Sequence, residues 1–472
     1  MATWLLWALA LLASAAGQET CRQAYANFRP PCRDGMPATF RLGMHYEDRN
    51  TLLGFMVEAT KDVECCQMVG GRSWEVGFHL MSYLATLGKR NASLAREVST
   101  CLGEPGDALG QILYGIFCAP SVCEGDVGPL AMQRLIYNVC RLHVRPPPFE
   151  DVAADELTNW RSISMDFAVA GVGRCGTQSV LNNLYQHPEI DFTLGKSEED
   201  YTLFGQGQLS KFVPTKQQVA KHRASYAGKG DANDATKLLG LNNPVIVTYP
   251  LSYYALYLMK TVKVVLVVCD PLRRLEKLFL YHHYCHEDFD AAVRRFDAIP
   301  RHLNTRKDCD RSARALIGNQ RKWAKNQAFG SHVEELIKLF GHRRLFIVHQ
   351  ASLREFPRQT YGKLAAWLGA TQPFAAETIF KRYNFRLGYR TDLCQNSSLQ
   401  NVLKSMLASE YAALQLAIQW QERRFPQPLA TQELRGKRSR CDMAEELVEG
   451  PCGLSDDDQS GCPQLGREAA GR

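Results

Sequence analysis

Downstream of residue 162, short apolar runs alternate with segments whose apolar positions recur every three or four residues. "DFAVAG" is followed by "TQSVLNNLYQHP", "KVVLVVC" by "PLRRLEKLFLYHHY", and "RRLFIVH" by a helical pattern around "TYGKLAAWLG". This order predicts strands alternating with helices, and so an α/β fold with a parallel sheet flanked by helices on both faces. The run "VKVVLVVC" has no polar alternation, as expected of a strand buried on both sides. Upstream, "GFHLMSYLATLG" and "PLAMQRLIYNVCRL" space their apolar residues as helices do, which predicts a small helical unit.

Between the two lies a stretch that opens on Pro146-Pro147-Pro148 and turns acidic, so it reads as a linker. The predicted organisation is a signal peptide over 1–17, a cysteine-rich helical domain over 18–145, a linker over 146–161, an α/β domain over 162–426 and an irregular acidic tail over 427–472. No internal repeat is visible.

Composition fits a globular protein: 472 residues, 45% hydrophobic and 10% aromatic, suffice for a sizeable core. The start "MATWLLWALALLASAAGQ" combines a short apolar stretch with an A-x-A-like end, the pattern of a cleaved secretory signal. It is shorter than the ~20 residues that cross a bilayer. The expected location is the secretory pathway, either the Golgi lumen or outside the cell, with no stable membrane span.

Sixteen cysteines suit that oxidising compartment. Eight of them, Cys21, Cys32, Cys65, Cys66, Cys101, Cys118, Cys123 and Cys140, crowd into the first domain, and Cys441, Cys452 and Cys462 lie in the tail. Paired C-x2-C units are absent, so disulfides are expected and no metal site. His282, His283 and His286 diverge around a helix and do not converge on one ion. Asn91-Ala-Ser93 and Asn396-Ser-Ser398 have the form of N-glycosylation acceptors. Arg435-Gly-Lys437-Arg438 has the R-x-K-R form of a convertase site but reads first as a solvated basic stretch. The net charge of +7 sits with an acidic tail, so the body is more basic still. In a secretory chain that bias favours anionic ligands, nucleotides or glycans, over nucleic acid.

The chemistry is concentrated after "DFAVAG", where Gly171, Gly173 and Gly176 give the spacing G-x-G-x-x-G. A strand that ends in glycines and opens into a helix offers backbone N–H groups and a positive helix end to an anion. A dinucleotide site would carry small residues in the turn. Here Arg174 stands inside it and Thr177, Gln178 and Ser179 follow, and the Walker A spacing fails at its lysine.

The run "GVGRCGTQSVLNNLYQHPEI" resembles the 5′-phosphosulfate loop of sulfotransferases, which runs G-x-x-[RK]-x-G-T, then a helix and "HP". The resemblance implies a P-loop-like fold and 3′-phosphoadenosine 5′-phosphosulfate as co-substrate, with Arg174 as the catalytic cation. It places Gly171, Gly173, Arg174, Cys175, Gly176, Thr177, Gln178 and Ser179 around the donor, with the N–H groups of Cys175, Gly176 and Thr177 on the developing charge. It also implies a second motif about a hundred residues on, R-D-P-x-x-R-x-x-S, for the nucleotide 3′-phosphate. In "VVLVVCDPLRRLEKLF", Asp270 and Arg274 match that pattern; Cys269 replaces the first arginine and Lys277 the serine. Asp270 suits an N-cap, Pro271 the first helical position, and Lys277 would restore the missing charge from one turn on.

Of the family's branches, the carbohydrate and heparan-sulfate type is the nearest. Its glutamate base falls in "LGKSEEDYTLF", at Glu198 with Glu199 as runner-up, while Lys196 would hold the sulfate or the acceptor. "FGSHVEELIKLFGHRRLFIVHQASL" resembles a later family segment, with His332 in a tyrosine position, and "YRTDLCQNSSLQ" matches the late nucleotide loop poorly. In the first domain, "GIFCAPSVCEGDV" resembles the cysteine-rich region of nose-resistant-to-fluoxetine proteins. The implied activity is sulfuryl transfer to a hydroxyl or amine, with a glycan acceptor. Two other readings stand beside it: a catalytically degenerate binding protein, favoured by Cys269, and a nicotinamide-dependent oxidoreductase, opposed by Arg174. Oligomeric state is not readable from the sequence.

Overall fold

The structure is a computed structural model. It describes residues 21, 23–25, 27, 49–102, 112–142, 152–195, 200, 203–204, 212–227, 237–272, 274, 329–383, 405 and 407–423. The signal-peptide and tail expectations, Lys196, Glu198, Glu199, Lys277, the three histidines, Asn396 and Arg435 to Arg438 lie outside the described residues. The chain divides into two compact units, residues 1–168 with 187–264, and residues 169–186 with 265–472.

In the first unit the region expected to be helical carries an antiparallel sheet as well. Strand β1 (Gly71–His79) lies between β2 (Ile112–Pro120) and β3 (Val152–Glu156). β3 falls inside the expected linker, where Trp74 is paired with Glu156 and Phe78 with Val152. The reason is pairing at a distance: β1 finds its partners some forty and eighty residues downstream, which a local periodicity cannot reveal. Helices α1 (Arg49–Met68), α2 (Leu80–Arg90), α3 (Ala92–Leu102) and α4 (Val127–Cys140) accompany the sheet.

Trp74, Val76, Phe117 and Val127 form one buried cluster, and Tyr83, Leu87, Val98 and Met132 another. Disulfides staple this region, among them Cys21–Cys123, Cys66–Cys118 and Cys101–Cys140. Each typically stabilises a fold by about 2–4 kcal/mol. Among the described residues no cysteine is free, and no helix is long and apolar enough to cross a membrane.

The α/β part matches the expectation. Five strands, β4 (Phe167–Gly171), β5 (Ile190–Phe192), β6 (Leu238–Asn242), β7 (Lys263–Val268) and β8 (Leu345–His349), form a parallel sheet in the order β5-β6-β4-β7-β8. β4 and β8 are buried along their whole length, as their unbroken apolar sequences require. Gly240 of β6 is fixed by packing, because a Cβ there would fall 2.2 Å from the Phe167 ring. Asp166 sets the start of β4, where its carboxylate accepts the Leu239 N–H at 2.8 Å and its carbonyl the Lys263 N–H at 2.9 Å. Helices α6 (Lys216–Ala227) and α7 (Pro250–Leu258) also belong to the first unit.

The second unit holds α5 (Thr177–Leu184), α8 (Gly330–Arg344), α9 (Gln350–Glu355), α10 (Pro357–Leu368) and α11 (Ala408–Glu422). α10 begins on Pro357 and ends on Gly369 at φ 118°, the usual proline start and glycine stop. Gln421 of α11 accepts the Ile347 N–H of β8 through its side-chain carbonyl at 2.8 Å. Strand order reverses at β4, which has β6 on one side and β7 on the other. In open α/β sheets, ligands bind beyond the carboxyl ends of the strands at such a reversal. The glycine loop leaves β4 at that end, and Cys269 follows β7.

Candidate functional site

The loop is built by backbone conformations that its sequence permits. Gly171 has φ 125° and Gly176 φ 105°, in the left-handed region where glycine is favoured. A Cβ on Gly176 would also approach Gln350 Nε2 to 3.3 Å. Arg174 shares that region at φ 72°, a conformation costly for a side chain with a Cβ and concentrated at functional sites.

Gly176 is the N-cap of α5 and carries no side-chain cap. The first N–H groups of a helix have no acceptor within it. Of the three expected anion donors, Cys175 is otherwise engaged: its N–H donates to the Val172 carbonyl at 3.1 Å. That leaves Gly176 and Thr177, at the positive end of α5, as the backbone donors. Thr177 is buried, and Gly173, Arg174, Gln178 and Ser179 are partly exposed.

The second motif folds against the first. The Asp270 carbonyl accepts the Arg274 N–H at 2.9 Å, which opens a helical turn at Pro271 as expected. Arg274 is only 3% exposed, and its Nε donates to the Gly173 carbonyl at 3.1 Å. Its guanidinium lies 5.2 Å from the centre of the Phe329 ring, within cation–π range. Burial, joined by the positive charge of Arg174, pulls Arg274 down to about 10 against the opposing pull of Glu410. The positive charge of Arg174 thus bears on the buried Arg274 guanidinium.

Glu410 of α11 is itself buried and accepts N–H groups from Phe329 at 3.2 Å and Gly330 at 3.1 Å. Burial raises its pKa, while those two N–H groups and Arg274 lower it. Next to it, the Tyr411 hydroxyl donates to the Asp270 carboxylate at 3.1 Å. Burial, then the Asp270 charge, raises the Tyr411 hydroxyl.

Cys269, standing where the resembled motif has an arginine, is disulfide-bonded to Cys175 inside the glycine loop. Sequence reasoning missed this bond. Its signal was the coincidence that a cysteine interrupts each of two adjoining motifs. Glu410, Tyr411 and Gln350 were missed too, since they lie far along the chain and carry no motif.

Ser179 and Asn183 show a further brace. Ser179 Oγ accepts the Tyr383 N–H at 3.0 Å, and Asn183 bonds both the carbonyl and the N–H of Lys381, at 2.9 and 3.0 Å. The segment 379–383 is thereby laid along α5. His332 is buried in the first turn of α8. Among the described residues no cluster of His, Cys, Asp or Glu is placed to hold a metal ion.

No protein-family model and no curated protein matches this sequence. Several solved structures do. A sulfotransferase from Alicyclobacillus acidocaldarius is 14% identical, with 54% of this chain and 96% of that one covered and a TM-score of 0.37. The sulfotransferase domain of a Synechococcus olefin synthase is 12% identical, with 54% and 93% covered and a TM-score of 0.27. A mouse sulfotransferase complexed with PAP is 11% identical, with 63% and 80% covered and a TM-score of 0.25. Scores this low carry no argument about activity, which must come from the loop itself.

Proposed function

We propose that this chain is a sulfotransferase of the secretory pathway, moving a sulfuryl group from 3′-phosphoadenosine 5′-phosphosulfate to a hydroxyl or amine of a glycan. The observation that carries the reading is the loop after β4, where Arg174 is held left-handed directly before the N–H-bearing start of α5. The bound donor supplies an activated sulfuryl group and a nucleotide leaving group.

Charge builds on the bridging oxygen during in-line displacement, and fixed donors there are the largest expected contribution. In this reading Arg174 and the N–H groups of Gly176 and Thr177 provide them. Arg274 acts from behind, holding Gly173 through its carbonyl and adding positive potential. Glu198, or failing it Glu199, takes the acceptor proton, a role that typically adds about 10²–10⁴-fold, and Lys196 orients the sulfate or the acceptor. Asp270, Arg274 and Lys277 bear on the nucleotide's far phosphate, with Lys277 supplying the cation that Cys269 does not. Gln178 and Ser179 complete the loop's polar lining. The carbohydrate branch of the family and the fluoxetine-resistance-like first domain belong to the same reading by resemblance alone. Disulfides and the exposed acceptor Asn91 suit a lumenal, glycosylated protein.

One observation favours a second reading, a binding protein that kept the fold and lost the chemistry. At the second motif Cys269 is in a disulfide and the Nε of Arg274 is engaged by Gly173. Transfer of labelled sulfate from the donor to a panel of glycans separates the two. The enzyme reading expects turnover, reduced about a hundredfold or more in Arg174→Ala and Glu198→Ala. Donor-product binding without turnover on any acceptor would leave the binding protein.

A further inference from the structure

Three anchors of the glycine loop come from β7 and the residues just beyond it. Val172 N–H donates to the Val267 carbonyl at 2.7 Å, and the Gly173 carbonyl accepts from Arg274 Nε at 3.1 Å. Between these in the loop's path stands Cys175, tied to Cys269 with their Cα atoms 5.2 Å apart.

Cys175 lies between two left-handed residues, Arg174 at φ 72° and Gly176 at φ 105°. A residue so flanked belongs to neither strand nor helix, and no regular ladder of hydrogen bonds fixes it. Its own N–H bond to Val172 closes only a local turn. The Val172 bond to Val267 holds the start of this turn to the sheet, and the disulfide ties its far end, at Cys175, covalently to the residue after β7. Both cysteines are buried, at 0% and 1% exposure, so the bond is no reactive group at the surface.

We propose that the Cys175–Cys269 disulfide is a positioning element of the anion site, fixing the turn so that Arg174 and the N–H groups of Gly176 and Thr177 converge on one sulfate or phosphate group. This rests on the reading that the loop binds an anion. It goes beyond that reading by making the anion affinity depend on a covalent tie in the place where the resembled motif has an arginine. A preorganised cradle loses no freedom on binding, and a misplacement of about 1 Å can cost a hundredfold.

The test compares wild type with Cys175→Ala/Cys269→Ala, and with Cys175→Ala/Cys269→Val, which refills buried volume in case the first variant folds poorly. Hydrogen exchange reads the loop without any ligand, and titration with inorganic sulfate, below both unfolding midpoints, reads the cradle without any nucleotide. Exchange at 172–178 should quicken about tenfold or more while β8 keeps its protection. Sulfate affinity should fall about tenfold or more. Wild type reduced by a thiol should lose sulfate affinity and regain it on reoxidation, which a merely destabilised variant cannot imitate.

Unchanged loop exchange, or quickened exchange with unchanged sulfate affinity, overturns the proposal. Wild type that binds sulfate but not PAP overturns the sulfotransferase reading and leaves this inference to be decided by the variants. Wild type that binds neither overturns both.

Discussion

Arg174 sits in a conformation that costs a residue with a Cβ about 1–2 kcal/mol relative to glycine. A chain selected only for stability would place glycine there, as it does at Gly171 and Gly176 on either side. On the proposed reading, that strain is kept for the charge Arg174 brings to the loop. Arg174→Gly should be no less stable than wild type within about 1 kcal/mol, the gain in strain offsetting the entropy of the unfolded chain. Asn183 makes the opposite case. It is buried, and its amide bonds Tyr361 Oη at 2.9 Å, both main-chain groups of Lys381, and Gln186 Nε2 at 3.1 Å. Asn183→Ala leaves several of these partners unsatisfied and should destabilise by about 2–3 kcal/mol, measured as a lower thermal midpoint.

The elements were legible in the sequence where their signals are local. "DFAVAG", "KVVLVVC" and "RRLFIVH" became β4, β7 and β8, and "TQSVLNNLYQHP" became α5, because buried strands and amphipathic helices write their periods directly into the chain. "GFHLMSYLATLG" was legible only in part: Gly77, Phe78 and His79 end β1 before α2 begins at Leu80. Strand pairing with "ILYGIFCAP" and "VAADE" decides that boundary, and such pairing leaves no local period. At the site, the first loop was readable from glycine spacing and Arg174. The bracing of that loop by Cys269 and Arg274, and of α5 by Tyr383, was not, since contacts across tens to hundreds of residues have no fixed spacing.

At the scale of the whole molecule, pH couples to folding through His222 in the first unit. It is fully buried, with Nδ1 3.9 Å from the Asp200 carboxylate, which also accepts the Thr193 hydroxyl. Burial, only partly opposed by the Asp200 charge, lowers His222 from 6.5 to about 4. The unfolded chain thus binds a proton that the folded chain refuses between those values. Stability from this group is complete above about pH 6.5 and is lost as pH falls toward 4, on the order of 2–3 kcal/mol. Thermal midpoints taken from pH 7 down to 4 should fall, and His222→Gln should flatten that fall; an equal slope in the variant would remove His222 as its cause.

The disulfides and the anion loop set the remaining question, whether the molecule that folds this way holds the nucleotide. Calorimetric titration of wild type and Arg174→Gly with PAP answers it most directly. A saturable heat with wild type, lost in an Arg174→Gly protein whose thermal midpoint is unchanged, is the predicted result. No heat with folded wild type, or equal binding by the variant, would contradict it.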